Sequence, residues 1–74
     1  MILDCRGQLC PQPVIALARA AKVSAPGTVI TVETDDPAAA VDIPAWCRMR
    51  GHDCSLASDV EGVLTHAVVV RGPA

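Results

Sequence analysis

Apolar residues change their spacing along the chain, and those changes mark its elements. Ile2 to Cys5 is a short apolar run ended by Arg6-Gly7, the form of a strand entering a loop. After Cys10-Pro11-Gln12-Pro13, the residues Val14, Leu17, Ala18 and Ala21 recur at helical spacing, which predicts a first helix over about residues 11 to 23. Pro11 and Pro13 fall in its first turn, where N–H groups have no intrahelical partner, so neither breaks it. Pro26-Gly27 ends this helix, and the β-branched run from Thr28 to Thr34 predicts a second strand. Asp35-Asp36-Pro37 is a helix-start signal with Asp36 at the N-cap. Asp42-Ile43-Pro44 repeats that signal, and the Pro44 ring would clash with the turn before it. A short turn at 37 to 41 and a helix from about 43 to 50, closed by Gly51, are therefore expected. A strand from His52 to Ser58, a turn at Glu61-Gly62 and a strand from Val63 to Arg71 complete the order βαβαββ.

Crossovers between parallel strands followed by a hairpin predict a mixed four-stranded sheet with two helices on one face, a two-layer α/β sandwich. In the last strand both alternating sets are apolar: Val63, Ala67 and Val69, and also Leu64, Val68 and Val70. The second set reads either as an outward docking surface or as scattered surface valines. No repeat or linker divides the chain, so residues 1–74 read as a single domain.

Composition narrows the possibilities. A folded chain of 7.7 kDa exposes roughly 4,300 Å² of the roughly 11,000 Å² of its extended form, which leaves modest stability and no room for a large cofactor-binding enzyme. No cofactor is expected. With no Phe, no Tyr and one Trp, the core is aliphatic and offers no platform for stacked bases. The net charge is -2 and the basic residues form no run, so direct nucleic-acid binding is not expected either. No stretch approaches the length of a signal h-region or a membrane span. The chain reads as a cytoplasmic monomer without a membrane partner, and its four cysteines as reduced thiols.

Among these thiols, Cys10 stands immediately before a helix, whose N-terminal end carries positive partial charge and favours a thiolate. Pro11 and Pro13 have no N–H, so the first-turn donors are those of Gln12 and Val14, and Arg6 offers a further positive charge. Position alone leaves a reactive thiol and a small apolar residue equally open.

Leu3-Asp4-Cys5-Arg6-Gly7-Gln8-Leu9-Cys10-Pro11-Gln12-Pro13 resembles the signature of the TusA (SirA-like) sulfur-carrier family, whose hallmark is Cys-Pro-x-Pro at the start of the first helix. Asp35-Asp36-Pro37, Asp42-Ile43-Pro44-Ala45-Trp46-Cys47 and Gly51-His52 resemble its second block, in order along nearly the whole chain. The resemblance implies the same βαβαββ sandwich and a role in sulfur relay. Cys10 would accept a sulfane sulfur as a persulfide and pass it to an acceptor protein, with Arg6, Pro11, Gln12 and Pro13 supporting it. With a single lysine, Lys22, and no room for pyridoxal phosphate, the chain cannot extract sulfur from cysteine. A cysteine desulfurase or other sulfurtransferase must load it, so it is at most a sulfurtransferase acting through its carrier cysteine. Delivery to tRNA thiolation, molybdenum-cofactor assembly and sulfur oxidation all fit the resemblance.

Cys5 reads as a strand-end packing residue or as an auxiliary thiol forming a disulfide with Cys10, which defines a second reading: a thiol redox switch or regulatory binding module. Cys47, beside Trp46, and Cys54, alternating with Leu56, read as core. Zinc ligation by Cys5, Cys10, Cys47, His52 and Cys54 is disfavoured, because their spacing is no tetrahedral pattern, and no metal is expected. His52 reads as a surface residue at a strand start and His66 as a partly buried one. Asp35, Asp36 and Asp42 read as helix caps. Docking specificity is expected in the Arg6 to Leu9 loop and around Arg48 and Arg50, which equally suit a solvated helix face.

Overall fold

A computed structural model describes residues 1–8 and 12–71. Its elements run β1 (Ile2–Asp4), α1 (Gln12–Lys22), β2 (Val29–Thr34), α2 (Pro37–Arg50), β3 (Asp53–Val60) and β4 (Val63–Val69). The strands form one mixed sheet in the order β1-β2-β4-β3. β1 runs parallel to β2, and β4 runs antiparallel to both β2 and β3. This is the expected two-layer sandwich.

Strand alternation sets which side chains the helices cover. Ile30, Val32 and Thr34 of β2 and His66, Val68 and the following Val70 of β4 are buried, while their alternates Val29, Thr31, Ala67 and Val69 are exposed or half-buried. Both helices lie on the buried side. α1 contributes Pro13, Leu17, Ala20 and Ala21, and α2 contributes Ala39, Ile43 and Cys47. Removing an aliphatic side chain the size of Leu17 or Ile30 from water stabilises the fold by about 1.5–3 kcal/mol, so this one cluster holds the molecule together. The small residues Ala20, Ala21 and Ala39 let both helices sit close to the sheet. The total accessible surface, 4478 Å², is that of a single small core.

The second helix differs from expectation. In place of a turn followed by a short helix, α2 is continuous through Pro44. Pro44 has no N–H to give the Ala40 carbonyl, the local cost on which the expected break rests. The deciding fact lies in packing: Ala39, Ile43 and Cys47 recur every fourth residue on one buried stripe that spans the break. Asp42 consequently lies inside the helix and is not its cap. Asp36 caps α2 as expected, its carboxylate accepting from the Ala38 N–H at 3.0 Å, with Pro37 at the first helical position. Gly51 ends the helix with φ +77°, a left-handed turn that favours glycine.

Three burial expectations are also corrected. The set of β4 expected to face outward does not: Leu64, Val68 and the following Val70 lie on the helix-facing side, with Val68 and Val70 buried, while Val63, Ala67 and Val69 face away. His66 is fully buried, at 2 % exposure, because it lies on the helix-facing side of central strand β4. Leu56, its partner across the ladder on edge strand β3, is 56 % exposed. A register shift between Leu56 and Ser58 bends that edge out of line.

Candidate functional site

The loop between β1 and α1 is described through Gln8. It leaves the sheet at Cys5, whose N–H donates to the Glu33 carbonyl at 2.7 Å. Cys5 is 2 % exposed and part of the core cluster, in keeping with a strand-end packing residue. A turn closes with the Gln8 N–H on the Cys5 carbonyl at 3.2 Å, and Gly7 takes φ +79°. Asp35 crosses from the β2–α2 connection to accept the Gly7 N–H at 3.0 Å. That tether was invisible to sequence reading, which took Asp35 for a cap. The available signal was the Asp35-Asp36 doublet, since one helix start needs one cap.

Arg6 sits in this loop as a bidentate partner of Asp4, with its Nε and Nη2 each 2.9 Å from a carboxylate oxygen. Hydrogen bonds from the Arg6 side chain and backbone hold the Asp4 carboxyl down at about 2, and Asp4 raises the guanidinium in return. Both groups are exposed, so the pair orders the loop more than it stabilises the fold. What Arg6 lends the loop is therefore position first and charge second.

On the helix side, Gln12 is exposed and opens α1, while Pro13 is buried against the sheet and fixes where the helix begins. Gln8 and Gln12, with Ile15, Ala16 and Arg19, line a shallow surface hollow. Cys10 and Pro11 lie outside the described residues, so among the expected site residues the structure places Cys5, Arg6, Gln12 and Pro13 around this junction.

The remaining thiols are in contact elsewhere. Cys47, 1 % exposed on α2, meets Cys54 of β3, which is half-buried. Burial and the neighbouring Cys54 push the Cys47 thiol up to about 12. Burial likewise raises Cys54. Cys5 is raised by burial, with a smaller contribution from the Asp4 charge. Each of the three described thiols is protonated at neutral pH and correspondingly slow as a nucleophile. Among the described residues, no three His, Cys, Asp or Glu side chains converge on a metal position.

The family described as Sulfurtransferase TusA matches residues 1–71. The chain belongs to the TusA family. The crystal structure of a SirA-like protein from Desulfitobacterium hafniense superimposes with a TM-score of 0.84 at 28 % sequence identity, covering 97 % of this chain and 100 % of that one. TusA membership brings a sulfur-carrier or sulfurtransferase role, exercised in relay with donor and acceptor proteins. Among the described residues, no helix is long and apolar enough to cross a membrane.

Proposed function

We propose that Cys10 is the carrier thiol and that it works by persulfide transfer. Its thiolate attacks the terminal sulfur of a persulfide on a cysteine desulfurase or another sulfurtransferase. The donor's S–S bond breaks, its electron pair leaves with the donor cysteine as thiolate, and a new S–S bond leaves the sulfur on Cys10 as a persulfide. The same exchange in the outward direction delivers the sulfur to an acceptor protein, in tRNA thiolation or related cytoplasmic sulfur trafficking.

The observation carrying this reading is the state of the other thiols. Cys5 and Cys47 are buried, Cys54 is half-buried and in contact with Cys47, and all three are raised above the ordinary thiol range. Cys10 falls between Gln8 and Gln12, at a loop-to-helix junction where Gln12 is exposed. In this assignment the N–H groups of Gln12 and Val14 stabilise the anion, Pro11 and Pro13 set the loop-to-helix geometry, and the Asp4–Arg6 pair with the Asp35 tether steadies the approach.

Incubation with a cysteine desulfurase and cysteine, followed by mass spectrometry, should add a sulfur atom to the peptide containing Cys10. Cys10→Ser should abolish that addition. Uptake that persists in Cys10→Ser, or a Cys5–Cys10 disulfide forming with no uptake from any donor, would overturn the carrier assignment in favour of a different thiol or of a redox switch.

A further inference from the structure

At the end of the molecule away from the β1–α1 loop, the C-terminal turns of α1 and α2 meet the start of β3 and the end of β4 around an open groove of about 800 Å³. An eleven-residue helix rises about 15 Å from end to end, which is the separation α1 puts between Gln12 and the groove residue Lys22. The floor is apolar. Ala18 and Ala21 keep it low, Trp46 and Val70 line it, and Met49 stands at its side with 80 % of its surface exposed.

The wall is held in place by specific contacts. His52 lies against Trp46, ring centroids 5.2 Å apart and tilted by 34°. The backbone N–H of Arg71 donates to His52 Nδ1 at 3.0 Å, which fixes the ring. The Arg71 guanidinium pairs with Asp53. Lys22 and Arg50, by contrast, make no ion pair among the described residues.

Charge is distributed unequally between the two ends. Topology puts Lys22, Arg48, Arg50 and Arg71 with Asp53 at the groove end, and Asp4, Glu33, Asp35, Asp36, Asp59 and Glu61 with Arg6 at the other. Arg71 is balanced by Asp53. The two helix C-termini offset about half a charge each, so Lys22 and Arg50, the lining cations besides Arg71, leave the groove with a surplus of about one positive charge on a chain whose net charge is -2. The helix ends also decide what kind of anion fits. They present carbonyl groups and not the N–H groups that cradle a phosphate, so the cations are reached only by acidic groups extended toward the rim.

We propose that this groove docks an acidic peptide segment of a partner protein, with an apolar side chain of the segment over Trp46 and its carboxylates on Lys22 and Arg50. The openness of the site, an apolar floor with an exposed Met49 and the surplus of positive charge all match such a segment. The proposal does not depend on which thiol carries sulfur.

Trp46 is the chain's single Trp, with no Tyr or Phe beside it, so its emission reports on the groove alone. The full chain is titrated at low salt with a synthetic peptide of alternating Glu and Leu, with the same peptide carrying Gln for Glu, and with ATP. The Glu peptide should shift Trp46 emission saturably. Lys22→Glu with Arg50→Glu should weaken it by at least about tenfold, while the circular dichroism spectrum and the Cys10 alkylation rate stay at the native values. Absence of any shift, equal binding of the Gln peptide, an undiminished response in the double variant, or binding of ATP in place of the peptide would each overturn the proposal. Sulfur loading of Cys10, followed separately, reports on the carrier assignment and not on the groove.

Discussion

His66 puts an imidazole in the core with no hydrogen-bond partner for its Nδ1 among the described residues. Burial lowers its pKa below the ordinary 6.5, because a charged ring there has lost its water. The folded state then holds fewer protons than the unfolded state just below pH 6.5. Stability is therefore fully present above that value and declines as the pH falls from it toward the folded pKa. Urea denaturation at a series of pH values should show this decline, and His66→Leu should flatten it below about pH 6.5. A second loss belongs to Asp4, whose lowered carboxyl contributes stability above its ordinary 3.8 and loses it on the way down to about 2. The Asp4 window begins only near its ordinary 3.8, so the His66 variant leaves that more acidic loss in place. The thiols give a further expectation at this scale. Native-state alkylation should label Cys10 first and half-buried Cys54 more slowly, while Cys5 and Cys47 wait for denaturant. Rapid labelling of Cys47 in the folded protein would contradict its burial and raised pKa.

Among the elements, α2 is where local sequence and tertiary packing disagree, and packing wins. The strands, the first helix, the Asp36 cap, the Gly51 stop and the Glu61-Gly62 turn were legible because each depends on neighbours in sequence. Continuity through Pro44 was not, because it depends on Ile43 meeting the sheet, a contact that exists only after folding. The same limit hid the burial of His66 and the exposure of Leu56, which follow from strand order and register, and the crossing of Asp35 to Gly7. Of the candidate site, Cys5, Arg6 and Pro13 were legible as neighbours of the loop, whereas the commitment of Arg6 to Asp4 was not. Ile43→Ala should cost about 2–5 kcal/mol in urea denaturation, the range for truncating a fully buried aliphatic side chain. Pro44→Ala should act in the opposite direction, by about 1–2 kcal/mol, since it restores an N–H for the Ala40 carbonyl but loosens the unfolded chain. No gain in the second variant would mean that α2 has already relaxed around the proline.

For the molecule as a whole, a single aliphatic cluster joins both helices to the sheet, so no part has a core of its own. Unfolding followed by Trp46 emission and by far-ultraviolet circular dichroism should give coincident transitions. An earlier change in Trp46 would mean that the helix ends around the groove open before the sheet does. Sheet order has one more consequence. The two outermost strands are β1, only three residues long, and β3, interrupted between Leu56 and Ser58 and carrying Asp53 and Asp59. Neither offers a long, flat row of unpaired backbone groups to a strand from another chain, which is the template on which sheets grow between molecules. A protein that must meet one partner after another is thereby kept from aggregating edge to edge with its own copies, and its encounters are left to side chains that can let go.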